Sequence, residues 1–183
     1  WAATKRQGIA KYNGQQWTVF NKSNSQLPSN KTTKLLIEKS GEKWFGTEKG
    51  LVQVKNQQWT TYKSDTSVLE RNTVQSMAVD AQRGSWIGVN EQVLKRQSGS
   101  WRNFPFSNHL PDRHVHSIAI DDSGNKYIGR IQLSPCGNGD MPIISKVSKG
   151  QWQTIGFKQA SGPSFPLVEH LSIDHNGHIW MIQ

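Results

Sequence analysis

The chain has 183 residues, a net charge of +9 and a composition that is only 34% hydrophobic. This length suits one domain with a sizeable core, and no apolar run approaches the ~20 residues of a membrane-spanning helix. The single cysteine excludes an internal disulfide framework and a multi-cysteine zinc site. The basic charge favours anionic partners.

Aromatic residues recur with one period along the chain. One set comprises Trp1, Trp44, Trp86, Tyr127 and Trp180, and a second set comprises Trp17, Trp59, Trp101 and Trp152. Successive members are about 42 residues apart, except for one gap in each set that is about ten residues longer, and such a period is typical of propellers and solenoids. We expect these tryptophans to pack between repeats rather than to bind a ligand.

Each repeat has the pattern of four short antiparallel strands, which we label a to d from the propeller axis outward. Strand a is apolar and is followed by an acid, which lies six residues before the aromatic of strand b. The acids are Glu38, Asp80, Asp121 and Asp174. We expect each carboxylate to cap the following glycine turn rather than to bind a cation.

The repeats predict an all-β fold, namely a β-propeller built from four-stranded blades. A single domain spans 1–183, with repeats at 1–30, 31–72, 73–113 and 114–166, a partial repeat at 167–183 and an insertion at 131–142. The pattern gives 17 strands in about four blades, either a small closed propeller or part of a larger one. An open array would expose sheet edges, which favours a homo-oligomer.

Several segments resemble the two-component-regulator propeller repeat. They are Trp-Phe-Gly-Thr-Glu-Lys-Gly-Leu-Val at 44–52, Trp-Thr-Thr-Tyr at 59–62, and the connector Asn-Ser-Gln-Leu-Pro-Ser-Asn at 24–30. The resemblance implies a periplasmic or extracellular sensor propeller of bacterial hybrid histidine kinases, or a related secreted propeller. It also implies that the ligands are mostly oligosaccharides.

Polar residues at the start of each strand a differ between repeats, whereas their neighbours are uniformly apolar. In a propeller these positions lie at the mouth of the central channel, and variation on a repeated scaffold is where a site is expected. The predicted ligand-binding residues are Lys31, Thr33, Arg71, Gln75, Arg113, His114, His116 and Glu169. The alternative interpretation is a set of ordinary solvated loop ends.

The sequence contains no strong catalytic or metal-binding motif. His114 and His116 lack the spacing of a zinc site, and nothing places a histidine beside Cys136, so we predict no catalytic residue, metal or cofactor. A propeller lyase using His116 and Glu169 is the lesser alternative. Fold alone does not choose between these functions.

The sequence therefore predicts a non-catalytic, extracytoplasmic recognition or sensor module. Its ligand would be an oligosaccharide, an acidic glycan or another anionic or polar molecule bound at the channel mouth. A protein-interaction or structural scaffold is the alternative. Nucleic acid is not expected as a partner, because the chain has no block of basic residues and no nucleic-acid-binding motif.

Overall fold

A computed structural model describes residues 1–69, 72–82, 84–90, 92–104, 115–132, 141–156, 168 and 170–182. These residues form 17 β-strands and contain no helix. No helix long and apolar enough to cross a membrane occurs in the described residues. The strands pair in chain order within five antiparallel sheets, which is the blade arrangement of a β-propeller.

The strands of the five sheets have the following bounds. The first sheet contains β1 (Ala2–Thr4), β2 (Gly8–Tyr12) and β3 (Trp17–Phe20). The second contains β4 (Thr32–Ile37), β5 (Lys43–Thr47), β6 (Gly50–Lys55) and β7 (Gln58–Tyr62). The third contains β8 (Val74–Val79), β9 (Ser85–Val89), β10 (Gln92–Gln97) and β11 (Ser100–Phe104). The fourth contains β12 (Ser117–Ile120), β13 (Lys126–Gln132), β14 (Met141–Ser148) and β15 (Gln151–Gly156), and the fifth contains β16 (His170–Ile173) and β17 (Ile179–Ile182).

The predicted fold and strand count are confirmed. Three sheets carry four strands each, in the sequence order a to d, and the other two carry three and two strands. The chain forms two compact units, 1–77 and 78–183, and the boundary falls within β8. The single domain and its repeat limits remain predictions.

Each unit has its own hydrophobic core. In the first unit, Ile9, Leu27, Phe45, Val52 and Val54 are buried, and Trp1, Phe20, Leu35 and Trp59 pack against them. In the second unit, the two buried clusters are Trp86, Val93, Val115, Ile118 and Ile128, and Ala119, Tyr127, Ile144, Val168 and Leu171. Most described tryptophans therefore pack as expected, but Trp17 and Trp180 are 59% and 63% exposed.

The predicted insertion lies in the hairpin between β13 and β14. Ile131 pairs with Pro142 and Gln132 pairs with Met141, so the ladder continues two residue pairs beyond the Arg130–Ile143 pair. Strand pairing thus extends into both ends of the predicted 131–142 segment. Residues 133–140, including Cys136, lie outside the described part of the chain.

Neighbouring sheets approach closely where a strand-b glycine faces a valine at the start of the next repeat. The pairs are Gly46–Val74, Gly88–Val115 and Gly129–Val168, and all three valines are fully buried. A Cβ added at Gly88 would lie 2.6 Å from Val115 Cγ1, well inside van der Waals contact. A side chain at these positions would therefore force the facing valine or one of the two sheets to move.

We expect Gly88→Ala to lower the free energy of unfolding by about 1–3 kcal/mol, the usual cost of overpacking a tight core. The measurement is urea denaturation followed by tryptophan fluorescence. Val115→Ala alone should also destabilise the protein, by opening a cavity. The double variant should recover part of the loss, because the new methyl group fills the space left by the valine, and simple additivity would contradict this packing.

Candidate functional site

The repeated acid holds both the strand-b aromatic and the turn that follows strand a. The hydrogen bonds run from Trp44 Nε1 to Glu38 (2.7 Å), Trp86 Nε1 to Asp80 (2.9 Å), Tyr127 OH to Asp121 (3.2 Å) and Trp180 Nε1 to Asp174 (3.1 Å). The second carboxylate oxygen of each aspartate accepts a backbone N–H, from Gly84, Asn125 and His178 respectively. The predicted turn caps are confirmed at the three aspartates, and the indole and phenol donors are an addition that sequence reasoning missed.

These hydrogen bonds stabilise the ionised carboxylates. Burial raises the pKa of Asp80, but hydrogen bonds from Trp86, Lys95 and Gly84 outweigh it and hold the pKa below its ordinary value of 3.8. The Lys95 ammonium lies 2.9 Å from the carboxylate. Burial also raises the pKa of Asp174, but hydrogen bonds from the His178 backbone and the Trp180 indole outweigh it and lower the pKa to about 2. The repeated carboxylates therefore serve the fold.

Three of the predicted site residues lie on neighbouring segments of the first unit. The Thr33 hydroxyl donates to the Val74 carbonyl at 2.6 Å. This bond places β4 beside Val74, the residue that precedes Gln75. The Lys31 ammonium lies 3.3 Å from Glu48 Oε2, and Thr73 donates to the Glu48 carbonyl. We call Lys31, Thr33, Glu48, Thr73 and Gln75 the entrance cluster. Glu48 is a member that the strand-a alignment missed, because it belongs to the turn between β5 and β6.

Gln75 is the unusual member of the entrance cluster. Its side-chain oxygen Oε1 is buried and has no hydrogen-bond partner among the described residues. A buried acceptor without a partner costs about 1–3 kcal/mol, so nearly all such groups in proteins are satisfied. The donor to Gln75 Oε1 is therefore not among the described residues.

The other predicted residues are not brought into this cluster. His116 lies in the second unit directly before β12, is half-buried, and donates its backbone N–H to the Gly129 carbonyl at 3.0 Å. Arg71, Arg113, His114 and Glu169 lie outside the described residues. Their common placement at a channel mouth remains a prediction. Among the described residues, no three His, Cys, Asp or Glu side chains lie together as a group that could hold a metal ion.

A concave surface lies between the first and second sheets, and sequence reasoning missed it. We call it the aromatic groove; it encloses about 580 Å³ and is lined by Trp1, Lys11, Phe20, Lys43, Val54, Asn56, Gln57 and Trp59. The Lys11 and Lys43 ammonium groups each lie 5.8 Å from the Trp1 ring centre, within cation–π range. Trp1 and Trp59 occupy repeat positions, so their period alone indicated only core packing.

Comparison with known proteins identifies the fold. No protein-family model matches the sequence, and no curated protein matches it. Among solved structures, the extracellular domain of a hybrid two-component system from B. thetaiotaomicron matches with a TM-score of 0.70 at 21% identity, over 92% of this chain and 23% of that one. The chain is a β-propeller. Its resemblance to two-component-regulator propellers thus extends to the three-dimensional structure.

Two further solved structures share this β-propeller fold. PorZ, a surface component of the type-IX secretion system of Porphyromonas gingivalis, has a TM-score of 0.70 at 18% identity, over 94% of this chain and 27% of its own. A virginiamycin B lyase from Staphylococcus aureus has a TM-score of 0.64 at 11% identity, over 94% of this chain and 55% of its own. The β-propeller spans about a quarter of the length of that extracellular domain and of PorZ.

We expect Asp80→Asn to lower the free energy of unfolding at pH 7 by about 1–3 kcal/mol, because it weakens charge-assisted hydrogen bonds. The folded-state pKa of Asp80 lies below 3.8, so this contribution is present above about pH 4 and is lost as the pH falls through the folded pKa. Urea denaturation of both proteins between pH 2 and pH 7 measures the difference.

The control is Asp122→Asn, which makes the same charge change at an exposed position in the turn after β12. It should leave stability nearly unchanged across this pH range. An Asp80→Asn effect of equal size at pH 2 and pH 7 would show that the ionised carboxylate is not what stabilises the turn.

Proposed function

We propose that this β-propeller is a non-catalytic recognition module that binds a saccharide or another polar ligand outside the cytoplasm, as part of a bacterial sensor. The observation that carries the proposal is the similarity of 92% of the chain to the extracellular domain of a hybrid two-component system. A shared fold does not itself assign a ligand, so the site has to be argued from its residues.

The entrance cluster is the proposed contact surface for this ligand. Gln75 Oε1 is a buried acceptor without a partner in the described residues, and a sugar hydroxyl is a donor of suitable size. Lys31 and Glu48 add one charge of each sign on the solvent side, where their side chains are 60% and 45% exposed. Such a mixture suits a polyhydroxylated ligand, which both donates and accepts hydrogen bonds.

The remaining predicted residues belong to the same proposal. If the strand-a entrances share one channel mouth, the ligand would also contact the remaining predicted residues, two in the repeats of the entrance cluster and three in later repeats. Those residues are Arg71, Arg113, His114, His116 and Glu169. Four of the five are histidine or arginine side chains that donate hydrogen bonds to saccharide oxygens or to carboxylate groups.

The non-catalytic character rests on the sensor-domain similarity and on the lack of a catalytic motif in the sequence. The lyase similarity, at 11% identity, supports the fold and keeps a lyase as the lesser alternative. That alternative requires His116 and Glu169 to share one pocket, with the histidine acting as an acid or base.

A protein-interaction scaffold is the second candidate function, and exposed aromatic side chains favour it. Tyr12 and Trp17 lie 5.1 Å apart on the first sheet and are about half exposed. Trp180 and Ile182 on the last sheet are also exposed. A partner protein, or a second copy of this chain at a sheet edge, would cover such surfaces.

We expect the protein to bind one class of oligosaccharide on a glycan array, and to return it unchanged when the bound sugar is analysed by mass spectrometry. Gln75→Ala should weaken this binding roughly 3–10-fold, the effect of one lost neutral hydrogen bond. Gln97→Ala, at the exposed end of β10, is the matched control and should bind as the parent does.

The outcomes separate the three functions. Cleavage of the bound sugar would establish an enzyme. A protein that binds no glycan but captures a protein partner through the Trp17 surface would establish the scaffold. Equal affinity of the Gln75→Ala and parent proteins would move the ligand site away from the entrance cluster.

A further inference from the structure

A strained turn borders the aromatic groove. Strands c and d are joined by two-residue turns at Asn56–Gln57, Ser98–Gly99 and Lys149–Gly150. Both residues of each turn are left-handed, and the second has φ of 64°, 86° and 81° respectively. Glycine adopts this conformation freely, whereas glutamine does so at a cost in free energy. Gln57 thus stands where two other repeats have glycine.

The side chains of this turn line the groove. Asn56 and Gln57 line the groove together with Lys11 and Trp1, and neither amide makes a side-chain hydrogen bond within the described residues. Strain that persists without a structural benefit is characteristic of functional sites. The strained residue Gln57 places its side chain in a groove, where it makes no hydrogen bond to the described part of the chain.

The groove combines flat aromatic rings with positive charge. Trp59 is held by Phe20 at 5.5 Å and by Phe45 at 6.4 Å, so its ring has a fixed orientation. Lys11 and Lys43 supply the charge, and none of the eight lining residues is acidic. The volume of about 580 Å³ lies within the usual range for small-ligand sites.

The equivalent place in the second unit shows which features belong to the repeat itself. There Lys95 and Lys126 lie 5.2 and 5.1 Å from the Trp86 ring, so ammonium groups over the indole are part of the scaffold. Lys95 is paired with the Asp80 carboxylate at 2.9 Å, and the turn residue is Gly150. The amide pair at 56–57 is therefore the feature that distinguishes the groove.

We propose that the aromatic groove is a saccharide subsite selective for an anionic sugar, and that Gln57 determines its specificity. The apolar face of the sugar would stack on an indole, its carboxylate or sulfate group would meet Lys11 and Lys43, and its hydroxyls would bond the two amides. This subsite rests on the proposed function as a saccharide-recognition module, but it is separate from the entrance cluster.

The decisive variant is Gln57→Gly, because it removes the side chain and also relieves the backbone strain of the turn. Its midpoint of thermal unfolding should stay equal to the parent value or rise by roughly 2–4 °C. Its affinity for acidic oligosaccharides should fall about tenfold. Gly150→Gln, the reverse change in the equivalent turn, should lower the midpoint and leave affinity unchanged.

A second pair of variants tests the charge. Lys43→Met should weaken binding of acidic oligosaccharides at least tenfold, whereas Lys126→Met removes an ammonium from the equivalent indole and should not. Binding is measured on an array of uronic-acid, sulfated and neutral oligosaccharides, followed by calorimetric titration of those that bind. The uronic-acid and sulfated arms decide which anionic group the lysines meet.

Each outcome bears on the groove separately from the entrance cluster. If acidic oligosaccharides bind and only Gln75→Ala weakens them, the groove proposal is wrong and the proposed function stands. If only the groove variants weaken them, the subsite is supported and the entrance cluster is not the site. Binding of neutral sugars alone, or of no oligosaccharide, would overturn the groove proposal.

Discussion

The close approach of neighbouring blades is the constraint on which the rest of the structure depends. A strand-b glycine leaves room for a buried valine of the next repeat, and no larger residue fits between them. Val74 fills such a place, and because successive side chains of a strand point to opposite faces, Gln75 points away from it. The Thr33 hydroxyl bonds the Val74 carbonyl across the same contact. The packing that joins two blades thus also positions the polar residues of the entrance cluster.

Most of the fold was predictable because two periods coexist in the sequence. Aromatics about 42 residues apart indicated blades, and alternation of polar and apolar residues indicated strands. The acid six residues before each aromatic indicated a turn, which Asp121 and Asp174 cap. The indole and phenol hydrogen bonds were less accessible, because a sequence does not show which of several nearby donors a carboxylate meets.

The site was less predictable, for reasons that concern tertiary packing. The residue type varies among Thr33, Gln75 and His116, which occupy equivalent positions in an otherwise regular repeat, so the sequence indicated them as candidate site residues. The aromatic groove was not indicated in this way, because Trp1 and Trp59 occupy the same repeat positions as tryptophans that pack in the core. Burial differs even within one repeat position, since Trp44 is buried and Trp180 is 63% exposed. The one local signal was Gln57 at a turn position that favours glycine.

The repeated glycine–valine contacts also determine how the free energy of unfolding is divided along the chain. Each blade touches mainly its sequence neighbours, so stability divides into contributions from blades and from the interfaces between them. Such a chain is expected to open in blade-sized steps, each with its own free energy. The aromatic groove lies between two sheets, and a molecule held there would bind both at once. Its occupancy would couple the opening of these two blades more strongly than their shared core does, which turns a local binding event into a change in the dynamics of the array.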